Sequence, residues 1–274
     1  MLPSAIPVSV DFPIPGAPPS STSTSAIDAP AWYSGTSSQV TIARAGRAPL
    51  AGSARNHTAP AVLGSSPASF PLVFAPTARP AEYQARGPGY AVKLSEDGAD
   101  LGLFTGGDAT TSLLRMRLVG SSGTPTAEPL DLLGSTSNVF FGNDPSRWRA
   151  AIPNYAAVAY RGVYPGIDLV FHGDGRRLEY DFVVAPGSDP DAIAVSFEGA
   201  DAVELDPQGN LVLRTAGGNL VQHAPVTYQE EAGVRRPVPS RFRLLGDGRI
   251  GFEVGSHDPA RALVIDPVLS LVIA

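Results

Sequence analysis

Short apolar runs separated by turn residues recur about every ten residues from residue 83 onward, and this spacing constrains the fold more than any other feature. Most runs are roughly four to eight residues long, which suits β-strands better than helices. The breaks contain turn-forming residues, such as DPQGN at 206–210 and GDG at 246–248. The pattern predicts an all-β domain over residues 81–270, built from antiparallel sheets that pack as a β-sandwich with one or two lobes.

Thirteen β-strands are predicted in this region. They cover residues 90–94, 113–119, 156–160, 167–172, 178–184, 193–198, 202–205, 211–214, 220–223, 226–230, 240–245, 250–254 and 262–265. The most regular part is the meander between residues 193 and 265, where apolar runs and turns alternate most evenly. We therefore expect the carboxy-terminal part of the domain to form successive antiparallel hairpins.

Residues 1–80 have a different composition. They contain 13 of the 27 prolines, a Ser/Thr run at 20–25 and six charged residues. Such a segment buries too little apolar surface to offset the entropy of the chain. We predict a Pro/Ser/Ala-rich leader that is mostly disordered, in which residues 39–43 and 70–74 each have the composition of one strand.

The charge balance and the absence of cysteine exclude several classes of function. The formal net charge of −6 and the pI near 5.2 argue against nucleic acid as a partner, because binding phosphates needs clustered cationic side chains. The cationic residues are 19 arginines and Lys93, and they form no cluster in the sequence. Without cysteine, the chain has neither disulfides nor thiolate metal ligands.

Two further features concern the location of the protein. No uninterrupted apolar run approaches the roughly 18 residues that a membrane-spanning helix needs, so no transmembrane segment is predicted. No signal peptide is visible either, because the first basic residue is Arg44 and prolines interrupt the early apolar stretches.

A β-hairpin is predicted between residues 167–172 and 178–184, with its loop at 173–176. One face of this hairpin is apolar on both strands, which supports the register. The predicted pairs are His172 with Arg177, Phe171 with Leu178, Leu169 with Tyr180 and Ile167 with Phe182 on one ladder, with Val170 opposite Glu179 and Asp168 opposite Asp181.

The polar face of the same hairpin carries most of the candidate site residues. Asp168, Glu179 and Asp181 are expected to lie close together there, beside His172 and Arg177. Like charges that face each other across a sheet are unfavourable. Three arrangements would relieve the repulsion: a raised carboxyl pKa, as in acid–base pairs, a bound cation such as Ca²⁺, or a neighbouring arginine.

An arginine is the most ordinary of these arrangements, and Arg161 and Arg149 are the candidates for it. Metal or sugar binding and catalysis by the carboxylates are the alternatives. No catalytic residue is predicted, because the chain has no serine nucleophile elbow, phosphate-binding glycine loop or EF-hand motif. The four histidines also lack metal-ligand spacing, and no cofactor other than Ca²⁺ is expected.

Trp148 is a further candidate for contact with a ligand. It follows a turn that begins with Asp144, and Arg147 and Arg149 flank it. An exposed tryptophan in this setting would stack on a sugar ring, whereas a largely buried one would cover the edge of the core.

Several motifs in series resemble those of one bacterial family. They are GNDPSRW at 142–148, IPNY at 152–155, VYPGIDLV at 163–170, LEYDFV at 178–183, FEGA at 197–200, PVTYQ at 225–229 and VIDPV at 264–268. The series resembles the amino-terminal domain of unknown function that precedes SBBP β-propeller repeats in large exported proteins. The resemblance implies an all-β module in an extracellular or cell-surface setting, and it supplies no catalytic residues.

The leading hypothesis is therefore a non-enzymatic structural or adhesive module that caps or positions β-repeat domains. Its expected partners are adjacent β-repeat domains or surface polymers. A cap is physically reasonable because the terminal units of β-repeat arrays expose edges that must be covered. The alternative is a carbohydrate-active hydrolase, or a Ca²⁺-stabilised carbohydrate-binding module, that uses the face formed by Asp168, Glu179 and Asp181.

Overall fold

A computed structural model of the chain describes residues 43–44, 71–104, 110–121, 123–140, 143–173, 177–216 and 218–272. The strands in these residues are β1 Ala43–Arg44, β2 Ala75–Pro76, β3 Tyr83–Gly87, β4 Tyr90–Ser95, β5 Gly98–Phe104, β6 Thr110–Leu118, β7 Thr126–Val139, β8 Arg149–Tyr164, β9 Ile167–Gly173, β10 Leu178–Val184, β11 Val195–Glu198, β12 Ala202–Leu205, β13 Leu211–Thr215, β14 Gly218–Gln222, β15 Val226–Glu231, β16 Val234–Val238, β17 Ser240–Gly246, β18 Arg249–Val254, β19 Leu263–Asp266 and β20 Leu269–Val272. Two short 3₁₀ turns, Pro145–Arg147 and Pro190–Ala192, precede β8 and β11.

The strands form three antiparallel sheets. Sheet I has eight strands in the order β1-β7-β8-β9-β10-β19-β15-β16, and sheet II has eight in the order β17-β18-β11-β6-β5-β4-β3-β2. Sheet III has four strands in the order β12-β13-β14-β20. The predicted all-β, antiparallel fold class is confirmed.

A single large core joins the three sheets. Phe182 of sheet I packs on Phe252 of sheet II with 5.8 Å between ring centroids. Leu211 and Leu213 of sheet III are fully buried and belong to the same apolar cluster. Sheets I and II therefore pack face to face as a sandwich, and sheet III adds its apolar side to that core.

Each of the thirteen strands predicted between residues 90 and 265 overlaps an observed one, and most of the strands that were missed have weak apolar patterns. β5 contains two glycines, most of β7 is at least partly exposed, and β16 has the sequence VRRPV. β7 and β16 are largely exposed and are held mainly by pairing with a neighbour, whereas β5 also buries Ala99, Leu101 and Leu103 in the core. β2, β3 and β20 were also missed.

The fold begins before residue 81. Leu72 and Phe74 are buried in the core, and the amide N–H of Phe74 donates to the carbonyl of Tyr155 at 2.9 Å. Residues 71–80, assigned to the leader from the sequence, therefore belong to the sandwich. In the strand predicted at 39–43, Ala43 pairs with Thr136 of β7. The rest of the predicted disordered leader lies outside the described residues.

The β9–β10 hairpin and its two faces are as predicted, but the predicted partners are wrong by two residues. The observed pairs are Gly173 with Leu178, His172 with Glu179, Phe171 with Tyr180, Val170 with Asp181, Leu169 with Phe182 and Asp168 with Val183. Asp168 and Asp181 therefore do not face each other. Because side chains alternate with a period of two, a shift by two keeps every residue on its face, so the apolar pattern does not distinguish the two registers.

Candidate functional site

The candidate site is the outer face of sheet I, on the side away from the core. Alternate residues of β9 and β10 enter the core, so the residues between them point outward. The outward-facing polar residues of these two strands are Asp168, His172, Glu179 and Asp181. The structure thus brings together the residues of the predicted polar face, in a different register.

Asp168 is neutralised on this face by Arg161 of β8. Arg161 Nη1 donates to Asp168 Oδ2 at 2.9 Å, and its Nε donates to Glu128 Oε2 at 2.7 Å. The second oxygen of Asp168, Oδ1, accepts the amide N–H of Gly162 at 2.8 Å. Burial lowers the pKa of Arg161, but the hydrogen bonds to Asp168 and Glu128 outweigh burial and raise that pKa overall.

His172 lies between two carboxylates of β10. Its Nδ1 is 3.5 Å from Glu179 Oε2, and its Nε2 is 3.2 Å from Asp181 Oδ2. The second contact lacks the alignment of a good hydrogen bond, so it is mainly electrostatic. Burial lowers the pKa of His172, but Asp181 and Glu179 outweigh burial and raise it above the ordinary value. Arg177 lies 3.8 Å from Glu179 Oε1 and adds a cation at the exposed side.

Asp266 of β19 completes the cluster, and sequence reasoning missed it. β19 pairs with β10 in a register that, continued by one residue, places Asp266 opposite Asp181. The bridge between Glu179 and Val268 keeps the same register beyond this pair. The signal in the sequence was the aspartate within the VIDPV motif, but nothing local showed that β19 would pair with β10.

The two opposed aspartates are poorly solvated. Asp181 is only 1% exposed although it lies on the outer face. Its Oδ1 and the Oδ1 of Asp266 are both buried, and neither has a hydrogen-bond partner among the described residues. Burial and then the charge of Asp181 raise the pKa of Asp266 to about 6, although His172 and Arg235 act in the opposite direction.

An aromatic side chain and an arginine border the cluster on the far side. Tyr228 of β15 is buried, and the guanidinium carbon of Arg235 lies 4.3 Å from its ring centroid. Burial raises the pKa of Tyr228, and the nearby charge of Arg235 opposes the rise. This cation–π contact keeps one positive charge beside the carboxylates of the neighbouring strands.

Trp148 does not join this face. It follows the 3₁₀ turn that precedes β8, is 43% exposed, and packs edge-on against Phe140 with ring centroids 5.3 Å apart. The β8–β9 register puts Ala157 beside His172, and Ala157 is nine residues after Trp148, which corresponds to at most about 30 Å at roughly 3.3 Å per residue. Arg149, the other arginine expected over the acidic face, instead donates to the carbonyl of Pro76 at 3.0 Å.

The pKa values of His172 and Asp266 are both raised, and the two groups are in electrostatic contact, so this face is suited to exchanging protons as the pH changes. Among the described residues, no three His, Asp or Glu side chains are grouped so as to hold a metal ion, and Ca²⁺ binding stays a prediction.

A cavity of about 100 Å³ near the end of β10 is lined by residues that include Ser188, His257 and Arg261. No helix in the described part of the chain is long and apolar enough to span a membrane.

A family model for a domain of unknown function, DUF7948, matches residues 75–268. The chain belongs to the DUF7948 family. No curated protein and no solved structure matches the chain significantly. The DUF7948 match starts at the first residue of β2 and ends two residues after Asp266, so it includes the whole acidic cluster of sheet I. It supports the resemblance to a domain of unknown function, whereas the association of this DUF7948 domain with SBBP repeats, its bacterial origin and its cell-surface setting stay predictions.

Proposed function

We propose that this domain is a non-enzymatic structural or adhesive module of a bacterial cell-surface protein, and that it caps or positions neighbouring β-repeat domains. The main support is the corner formed by β16 and β17, which we call the docking corner. β16 is the last strand of sheet I, β17 is the first strand of sheet II, and only Pro239 separates them. Each of these two strands therefore has one edge that no other described strand covers, the two strands meet at Pro239, and an adjacent β-repeat can pair with or pack against these edges.

The side chains of the docking corner also suit an interface. Each strand carries one large apolar residue that is about half exposed, with Val234 at 54% on β16 and Leu244 at 52% on β17. Arginines accompany them, and Arg241 makes a 2.7 Å ion pair with Glu253 of the adjacent strand. Exposed apolar groups among arginines are typical of protein interfaces, and the arginines also discourage indiscriminate edge-to-edge pairing.

Adhesion to surface polymers is supported by a different surface, around Trp148. This ring is 43% exposed and is held edge-on by Phe140, which leaves part of it accessible to a sugar. A hydrolase using Asp168, Glu179 and Asp181 receives no such support. Asp168 is neutralised by Arg161, and the other two contact His172, whereas glycoside hydrolysis needs one protonated and one ionised carboxyl across a cleft.

The capping role is tested by titrating the full chain with an array of SBBP-type β-repeats and measuring binding by calorimetry. We expect binding that Val234→Lys or Leu244→Lys weakens at least about tenfold, since either change puts a charge into the interface. Leu132→Lys is the matched control, because Leu132 is 69% exposed but lies on β7, away from the docking corner. The absence of binding, or equal loss in the control, would contradict the role.

The adhesive role is tested by a thermal melt of the full chain with a panel of soluble polysaccharides, and separately with Ca²⁺ and EDTA. A polysaccharide that raises the melting temperature of the wild type but not of Trp148→Ala would support adhesion through this ring. An increase with Ca²⁺ that EDTA reverses would support the Ca²⁺-stabilised carbohydrate-binding alternative. Indifference to every polysaccharide would rule out adhesion to those polymers and leave the capping role as the proposal.

A further inference from the structure

Asp181 and Asp266 form an unusual pair at the seam between β10 and β19. The register of these strands places the two residues directly opposite each other on the outer face of sheet I. Opposed residues in an antiparallel pair have Cβ atoms roughly 4.5–5.5 Å apart, so two aspartate carboxyl groups there are within reach of each other. Each has a buried Oδ1 atom without a hydrogen-bond partner in the described part of the structure.

Two buried, unpartnered acceptor oxygens on opposed carboxylates are costly when both groups are ionised. The charges repel, and neither oxygen has a donor to replace its lost hydration. One proton corrects both defects, because a carboxylic acid donates a short and strong hydrogen bond to an adjacent carboxylate. The nearby cations do not donate to these two oxygens. Arg161 is engaged by Asp168 and Glu128, His172 contacts the other oxygen of Asp181, Oδ2, and Arg235 lies over the ring of Tyr228.

We propose that Asp181 and Asp266 share one proton as a carboxyl–carboxylate pair, and that this proton-binding site fastens β19 between its neighbours at mildly acidic pH. The inference does not depend on the capping role. β19 pairs with β10 on one side and with β15 on the other, so the proton acts at the seam that holds the β15–β16 hairpin to the rest of sheet I.

The surroundings of the pair contain charges of both signs. The titratable and charged groups that face it are His172 on β9, Glu179 on β10, Tyr228 and Glu230 on β15, and Arg235 on β16. Glu179 adds to the repulsion, whereas His172 and Arg235 reduce it. Because Asp181 is 1% exposed, water does not screen the pair as it screens a surface pair.

The direction of the pH dependence follows from the raised pKa of Asp266. An aspartate has an ordinary pKa of about 3.8, and in the folded chain that of Asp266 is about 6, so the folded state holds the proton more tightly than the unfolded state does. The stabilisation that this proton provides is complete below about pH 4, near the pKa of Asp266 in the unfolded chain. It is lost as the pH rises toward and through about 6. The pKa of His172 is also raised, so the folded state loses further stability as the pH rises above about 6.5.

The first test compares urea unfolding of the full-length wild type and Asp266→Asn between pH 4.5 and 6.5. Asparagine keeps a hydrogen-bond donor beside Asp181 but does not titrate. The ratio of the two unfolding equilibrium constants, wild type over variant, should rise roughly tenfold over this range, after allowance for partial solvent screening. Asp247→Asn is the control, because Asp247 is an exposed turn residue at φ 52°, where asparagine is tolerated. The proposal is overturned if the ratio for Asp266→Asn stays as flat as that for the control.

The second test observes the carboxyl groups themselves. In the full chain labelled with ¹³C at aspartate side chains, one carboxyl resonance should titrate with a midpoint near 6 and should be absent from Asp266→Asn. In Asp181→Asn, the midpoint of Asp266 should move down toward its ordinary value, because the opposing charge is gone. This second variant keeps the proposal testable if Asp266→Asn does not fold.

A cation bound between the two aspartates is the alternative to a shared proton, and the same protein samples distinguish these two possibilities. EDTA-treated protein at pH 7.5 is melted with and without Ca²⁺ at about 1 mM, a concentration at which extracellular Ca²⁺ sites are loaded. A large increase in melting temperature for the wild type but not for Asp266→Asn would show that the pair holds a cation, which overturns the proton proposal. Equal responses of the two proteins support it.

Discussion

At the scale of single residues, the outer face of sheet I is governed by how each carboxylate is neutralised. Period-two alternation correctly put Asp168, His172, Glu179 and Asp181 on one face, since that inference needs only local sequence. It also anticipated an arginine over the face, and Arg161 is observed there. Asp266 was not foreseen, because its position depends on pairing between strands that are far apart in the chain.

Replacement of Arg161 by methionine should destabilise the protein by about 1 kcal/mol, because it leaves Asp168 and Glu128 without their shared cation. The matched control is Arg214→Met, which removes a more exposed ion pair with Glu204 and should cost less than about 0.5 kcal/mol. Urea denaturation at pH 7 measures both. Equal losses in the two variants would show that Arg161 contributes no more than an ordinary surface pair.

At the scale of elements, the sequence predicted strands with continuous apolar runs and missed strands such as β5, in which glycines and an aspartate interrupt the buried apolar residues. β5 shows why. Its first residue, Gly98, has φ 131°, and a Cβ there would lie 2.2 Å from the carbonyl oxygen of Met116 on β6. The two backbones can approach this closely only at a glycine. In the sequence, the same glycine indicated only a turn.

Gly98→Ala is therefore expected to destabilise the domain by more than about 2 kcal/mol, through both backbone strain and the clash with β6. Gly233→Ala separates the two causes. Gly233 has φ 78°, but a Cβ there meets nothing within 4 Å, so only strain of about 1 kcal/mol is expected. Thermal melts of the two variants provide the comparison, and a Gly98→Ala loss no larger than that of Gly233→Ala would be evidence against the close approach.

At the scale of the whole molecule, one core makes the three sheets interdependent. Phe182 is fully buried and packs on Tyr180 within sheet I and on Phe252 of sheet II, each at 5.8 Å between ring centroids. Residues of sheet III belong to the same cluster. The sequence indicated the sandwich class but not this arrangement, because apolar periodicity identifies the inward face of a strand without showing which strand lies beside it.

Phe182→Ala is expected to cost about 3–5 kcal/mol, as for other buried aromatic truncations. If the core is shared, global unfolding should become more frequent by the same factor in all three sheets. Hydrogen exchange followed by mass spectrometry tests this in peptides from β9, β18 and β13, with Leu132→Ala, a substitution at a residue 69% exposed, as the control. Faster exchange confined to β9 would instead indicate that the sheets unfold separately.

The position of β19 also has a consequence for how the protein is made. β19 is synthesised after both β10 and β15, yet it lies between them in sheet I. Until residue 266 has left the ribosome, those two strands lack their shared neighbour, and sheet I exists only as two separate parts with open edges. The nascent chain must therefore be protected from aggregation until β19 has been synthesised, and messages that end before Leu263–Asp266 should yield products that quality-control proteases remove.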